Sequence, residues 1–283
     1  MVVSPPSMTA GGPTPQYSLG STDGEHERLI WQASRLAPLT ERLFREAGIG
    51  PGQRVLDLGS GVGDVAMLVA ELVGPSGEVV GAERDVRSIA RARDRAAEAG
   101  LHNVSFTESD VSHIADDKLF DAAVGRFILE FVPDPLATLG SVSRSVRPGG
   151  ILAFLEPCYA PFLLLSAHLP LWSASVSLIH QTLLRSGAHT EIGLDLHRIF
   201  LDAGLPGPTM RMEILLGSDP DFTRWTHDLL CSLRPQIQQQ NLSLKPLGDF
   251  ATLPARLQAE VAASKTVVPF VALVGAWSRK QID

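Results

Sequence analysis

An acid and three glycines stand together in VLDLGSGVGD, residues 55–64. Asp57 ends an apolar run, Gly59, Gly61 and Gly63 follow at every second position, and Asp64 comes next. A strand that runs into glycines and then a helix lets a ligand approach bare main chain at the helix N-terminus. The dinucleotide spacing G-x-G-x-x-G/A is met when counted from Gly61, ending on Ala66, but from Gly59 it ends on Asp64. Spacing therefore leaves a dinucleotide open, and a tight turn with close helix–strand packing is the ligand-free alternative. Charge discriminates better. Asp57 and Asp64 would bracket a pyrophosphate, and like unit charges about 4 Å apart repel by about 1 kcal/mol in water and about 4 kcal/mol at an effective dielectric near 20. The pair suits a phosphate-free nucleoside that is cationic at the strand end, as an ammonium or a sulfonium would be.

Further polar residues stand at the ends of the next apolar runs. Glu83 closes VVGAE, twenty residues beyond Gly63, where an acid can accept both ribose hydroxyls. Arg84 follows, to flank an adenine or to remain solvated. In TESDV, Asp110 is placed for an adenine amino group and Val111 for a backbone contact with the ring, with a helix N-cap as the alternative use of Asp110. Arg126 ends FDAAVGR, either over the ligand or paired with Glu130.

Positioning these groups requires strands that alternate with helices. RVLDLG, EVVGAE, VSFTES, FDAAVGRF and ILAFLE read as strands, and DVAMLVAELVG, VRSIARARDRAAEAG and DPLATLGSVSRSV as helices. Such alternation predicts right-handed crossovers and a doubly wound, Rossmann-like parallel sheet in an α/β chain. Residues 21–50 carry helical spacing that Pro38 is expected to split into two helices. The core then spans 51–157. Helical excursions at 158–195 and 218–264 read as lid insertions. Between them, 196–217 returns a core helix and strand, and 265–283 supplies the final strand.

Composition narrows the partners. The 283 residues carry a formal net charge of −7 and no Lys/Arg-rich run, which argues against nucleic acid. Two cysteines support neither a disulfide framework nor a cysteine metal site, and no metal is expected. Residues 1–20, rich in Pro, Gly and Ser, read as a flexible tail without the features of a signal peptide. The greasiest run, 161–179, is interrupted by His168, Pro170 and serines, so no membrane span is expected. A cytoplasmic protein is the expectation.

Taken together, VLDLGSGVGD, VVGAERD, ESDV and FDAAVGRF…RPGGILAFLEP resemble the motifs of the class I S-adenosylmethionine-dependent methyltransferases, in order, spacing and strand context. The resemblance covers residues 51–157 and implies a seven-stranded sheet, mostly parallel with an antiparallel last strand. It also implies S-adenosylmethionine as cofactor and a small-molecule acceptor. Gly59 and Gly61 would contact the methionine moiety, Asp57 would orient it, Glu83 would hold the ribose, and Asp110 with Val111 the adenine. The opening YSLGSTDGEHERLIWQA resembles the cofactor-covering segment of small-molecule members, which adds Tyr17 and Gln32.

The sulfonium activates its own methyl group, so the protein's task is to align the acceptor in a dry pocket. A hydroxyl acceptor benefits from a general base, whereas an amine or activated carbon need not. His180, at the edge of a stripe formed by Trp172, Val176, Ile179 and Leu183, is the catalytic candidate; packing in a helix contact is the alternative. His168, His189, Glu156 and Glu191 are less favoured. The apolar lid, including Phe162, Leu164 and Trp172, favours a hydrophobic acceptor of secondary metabolism if it forms a pocket. Core packing or a homodimer contact explains it equally well. Three other readings stay open: a rearrangement or cyclisation without methyl transfer, a non-catalytic cofactor-binding scaffold and a nicotinamide-dependent oxidoreductase.

Overall fold

A computed structural model describes residues 22–110 and 118–282. The expected flexible tail at 1–20, Tyr17 and Val111 lie outside the described residues.

Helix α1 (Asp23–Ala47) opens the fold, capped by the Thr22 side chain on the N–H of Glu25 and ended by Gly48 at φ 93°. The expectation of two helices fails here, because α1 runs unbroken through Pro38. Proline removes one intrahelical bond and crowds the carbonyl four residues back. The helix nevertheless buries Leu36, Leu39, Leu43 and Phe44 on both sides of the proline, and that packing overrides the local penalty.

The alternation then follows as expected: β1 (Arg54–Leu58), α2 (Asp64–Val73), β2 (Glu78–Glu83), α3 (Val86–Glu98), β3 (Val104–Glu108), β4 (Phe120–Arg126), α4 (Pro135–Ser145) and β5 (Val146–Cys158). After β5 come α5 (Tyr159–Ser166), α6 (Pro170–Arg185), α7 (Ile192–Asp202), β6 (Thr209–Glu213) and β7 (Leu216–Gly217). The chain closes with α8 (Pro220–Ser232), α9 (Arg234–Gln239), α10 (Leu253–Ala263), β8 (Val268–Pro269) and β9 (Ala272–Arg279). The last apolar run is thus two strands. Val268–Pro269 pairs with β7 in a small ribbon, and the long β9 enters the main sheet after the break at Phe270 and Val271.

The main sheet has seven strands in the order β3-β2-β1-β4-β5-β9-β6. Strands β1 to β5 pair in parallel, and β9 runs antiparallel between β5 and β6. Period-two alternation sends Val55, Val79, Val124 and Ala153 to the face covered by α1, α2 and α3. Leu56, Ala82, Ala123 and Phe154 go to the other face, beneath Leu139 of α4 and Phe200 of α7. Burial on both faces explains the near-continuous apolar runs of these strands. Between β1 and β4 the winding reverses, which opens a crevice at the carboxyl ends of the strands.

The greasy run at 161–179 turns between α5 and α6, and among the described residues no helix is long and apolar enough to cross a membrane. Phe162, Leu169, Trp172 and Ile179 are buried in the packing of the lid itself, while Leu164 and Leu165 are exposed.

Candidate functional site

A cavity of about 1000 Å³ occupies the crevice at the carboxyl ends of β1, β2 and β4. Gln32, Gly59, Gly61, Glu83, Arg84, Asp110 and Arg126 all line it, so α1 and the ends of four strands, β1 to β4, meet at one chamber. Asp57 stands behind the wall, 1% exposed, and His180 also lies off the wall.

The loop after β1 is built around Glu83. One carboxylate oxygen accepts the N–H of Gly61 at 2.9 Å, and the other accepts the N–H groups of Arg84 at 2.8 Å and Asp85 at 2.9 Å. A carboxylate has about four acceptor positions, so Glu83 ties the loop to β2 and keeps capacity for a ligand hydroxyl. Two glycines are required for different reasons. Gly59 has φ 62°, and a side chain there would strike Ile128; Gly61 has φ 53°, and a side chain there would meet only the open cavity. Asp85 caps α3 by accepting the N–H of Ser88 at 2.8 Å, and the Ser88 hydroxyl meets the His26 ring of α1 at 3.3 Å, which pins the covering helix to this end.

The electrostatics differ from the expectation of two free acids. Asp64 is paired with Arg95 at 2.7 Å, so its charge is compensated. Burial pushes the Asp57 carboxyl well above the usual carboxylate range, against the pull of Arg126 and a backbone bond from Ala66. Asp57 Oδ2 has no hydrogen-bond partner among the described residues, nor has the buried Ser60 hydroxyl on the cavity wall. Arg126, whose other option was Glu130, donates to the Thr40 hydroxyl at 3.1 Å and lies in the field of Asp64 and Asp57. Repulsion of a phosphate therefore falls chiefly to Glu83, with Asp85 and Asp110 also on the wall, rather than to the bracketing pair. An acid for ribose hydroxyls, an orphan serine hydroxyl and a glycine-shaped opening fit an adenosyl sulfonium.

The opposite end of the cavity is walled by Phe127, Tyr159, Leu183, Trp225, Leu229 and Phe270, which come from five separate segments. From α1, Arg28 forms a buried pair with Glu25, with Nε–Oε2 2.8 Å and NH2–Oε1 2.6 Å, and also donates to Gln32 Oε1 at 2.7 Å. Trp225 Nε1 donates to the same Gln32 oxygen at 3.1 Å, so α8 and α1 are joined directly over the chamber. None of Arg28, Phe127, Tyr159, Trp225 and Phe270 was singled out by the sequence reasoning.

Two carboxyls sit at this end. Glu156 of β5 accepts the N–H groups of Ile128 at 3.1 Å, Leu129 at 3.0 Å and Glu130 at 3.3 Å; burial raises it to about 7 despite these bonds. The three bonds hold the turn after β4, where Phe127 adopts φ 55°. That conformation costs a bulky residue about 1–3 kcal/mol and persists only where surrounding bonds over-determine it. The turn delivers Glu130 to the cavity wall with 1% exposure. Burial, then the neighbouring Glu156, push its carboxyl well above the usual range, opposed by a hydrogen bond from Tyr159. Behind Tyr159, the His180 ring stacks at 5.8 Å between centroids and bonds the Thr190 hydroxyl at 3.2 Å, and burial lowers its pKa. His180 thus supports Tyr159, which is the residue at the wall.

Comparisons with known proteins agree with this architecture. A family model described as a methyltransferase domain matches residues 49–204. The arsenite methyltransferase of Halobacterium salinarum is 32% identical over 118 residues, which are 41% of this chain and 30% of that protein. The ubiquinone/menaquinone biosynthesis C-methyltransferase UbiE of Coxiella burnetii is 38% identical over 115 residues, 39% of this chain and 46% of that protein. The matched regions span less than half the length of these relatives. Among solved structures, an S-adenosylmethionine-dependent methyltransferase from Aquifex aeolicus superposes with a TM-score of 0.50 at 20% identity, covering 68% of this chain and 90% of its own. On the family match, the sheet order and the strand-end loop, the chain belongs to the class I S-adenosylmethionine-dependent methyltransferases.

Proposed function

We propose that this protein transfers the methyl group of S-adenosylmethionine to a small, apolar acceptor. The observation that carries the reading is the continuity of one cavity from the Glu83–glycine loop to an aromatic chamber under α8. Adenosine would lie against Glu83, Arg84 and Asp110, and the methionine end would face Ser60, Gly59 and Gln32. The bound cofactor supplies an activated methyl group. The residues of the chain exclude water and align the acceptor, work that requires reacting atoms within about 3–3.5 Å.

The aromatic and aliphatic part of the wall, Phe127, Leu183, Trp225, Leu229 and Phe270, suits an apolar molecule oriented by one or two hydrogen bonds. The quinone named for one relative has this character. A thiophilic metalloid, named for another, is supported less well: the Cys158 thiol donates to Glu191 at 2.9 Å, Cys231 is exposed, and neither lines the cavity. Labelled methyl uptake across matched apolar and polar acceptors tests the reading. Uptake by the apolar set is expected, and uptake by polar acceptors alone would refute it.

A further inference from the structure

Among the described residues, one polar group on the cavity wall that the cofactor reading does not use is Glu130. Its side chain is buried and lies at the wall of the aromatic chamber, and Oε1 has no hydrogen-bond partner among the described residues. A buried carboxyl with a free oxygen is costly, since an unmatched polar group forfeits its hydration without a compensating bond. Here the cost is fixed by design of the turn: Glu156 holds the backbone of residues 128–130, the N–H of His189 donates to the Glu130 carbonyl at 2.9 Å, and Tyr159 donates to the side chain. Backbone and one side of the carboxyl are locked, and Oε1, itself buried, is an acceptor atom that no described residue fills.

Resting on the methyl-transfer reading above, we propose that Glu130 is the catalytic base for a hydroxyl acceptor, its Oε1 taking the hydroxyl proton as the methyl group arrives. In that step the acceptor O–H bond breaks and its proton passes to the Glu130 carboxylate. The oxygen electron pair forms the O–CH3 bond, and the breaking C–S bond leaves its electrons on sulfur as a neutral thioether. Hydroxyl is favoured over amine because a neutral amine attacks without prior proton removal, so a dedicated buried proton acceptor serves it little. The groups facing Glu130 are Glu156 from β5 and Tyr159 from α5, with His180 of α6 behind Tyr159; the His189 ring is turned to the carbonyl of Val132 at 3.1 Å. Glu156 disfavours a second negative charge nearby, which makes Glu130 a stronger base once ionised.

The test compares wild type, Glu130→Gln and Glu130→Asp with methyl-labelled S-adenosylmethionine and two size-matched probes, 2-naphthol and 2-naphthylamine. Binding of S-adenosylhomocysteine is measured by calorimetry in each variant. The expectation is methylation of 2-naphthol, with kcat lowered about 10²–10⁴-fold in Glu130→Gln, the range for loss of a general base. Glu130→Asp should fall between the two, and cofactor affinity should be unchanged. The acid limb of the wild-type kcat profile should lie above the ordinary carboxylate range and be absent in Glu130→Gln. Methylation of the amine but not the naphthol, an equally fast Glu130→Gln, or a persistent acid limb in that variant would each overturn the proposal. Failure of wild type to bind S-adenosylhomocysteine would instead overturn the methyl-transfer reading beneath it.

Discussion

The two ends of the cavity are made in opposite ways. At the Glu83 end, the wall includes the segments that directly follow β1, β2 and β3, and one carboxylate organises three backbone N–H groups. At the Glu130 end, the wall is assembled from side chains on the β4 turn, α5, α6, α8 and the segment between β8 and β9. One end is a property of local chain geometry, and the other exists only after distant helices have docked. A ligand's constant portion suits the first kind of site. A variable acceptor suits the second, because helices of an insertion can change without disturbing the sheet.

This contrast can be broken in several places, and the largest expected effect is the loss of turnover on removing the Glu130 carboxylate. Next comes stability against pH at the same end. Glu156 is raised from 4.5 in the unfolded chain to about 7 in the fold, so the native state binds the extra proton. Below pH 4.5 both states are protonated and nothing is lost; as pH rises from 4.5 towards 7 the unfolded state ionises first and stability falls. At about 1.36 kcal/mol per pKa unit, the loss is about 3 kcal/mol. Urea unfolding of wild type and Glu156→Gln at pH 5 and pH 7.5 checks it, with a flatter dependence expected in the variant. A wild type as stable at pH 7.5 as at pH 5 would contradict the burial of this carboxyl.

At the other end, Glu83→Ala should weaken S-adenosylhomocysteine binding by about 1–3 kcal/mol, the value of hydrogen bonds to a charged group. It should leave the KM of the acceptor nearly unchanged, since its effect stays at the nucleoside end. Equal losses in both would merge the two regions. A smaller effect is expected from Trp225→Phe, which keeps the aromatic wall but removes the indole bond to Gln32. Unfolding free energy should drop by about 1 kcal/mol, the net worth of a typical hydrogen bond, with acceptor KM raised more than cofactor affinity is weakened.

The same contrast governs what could be read from the amino acids. Strand, glycines, helix and acid are contiguous, so Gly59, Gly61 and Glu83 were legible from spacing, and apolar periodicity marked the strands of the parallel core. Asp57 and Asp64 were legible as acids but not by their surroundings, because the Arg95 partner of Asp64 comes from α3 and the burial that raises Asp57 from the closed sheet. The lid was misleading for a related reason. Periodicity reveals that Trp172 and Ile179 are buried, but not that they pack within the lid while Trp225 and Phe270 form the chamber. Glu130 carried no pattern at all. It was weighed only as a partner for Arg126, and its isolation depends on Glu156, twenty-six residues later, fixing the turn. Pro38 illustrates the same limit in α1, where tertiary packing outweighs a local helix breaker.

A crystal structure with S-adenosylhomocysteine bound tests the division of the cavity most directly. The ribose hydroxyls are expected on Glu83 and the thioether sulfur directed into the chamber bounded by Glu130, Tyr159 and Trp225. A sulfur directed away from that chamber, or an adenine lodged among Trp225 and Phe270, would contradict that division.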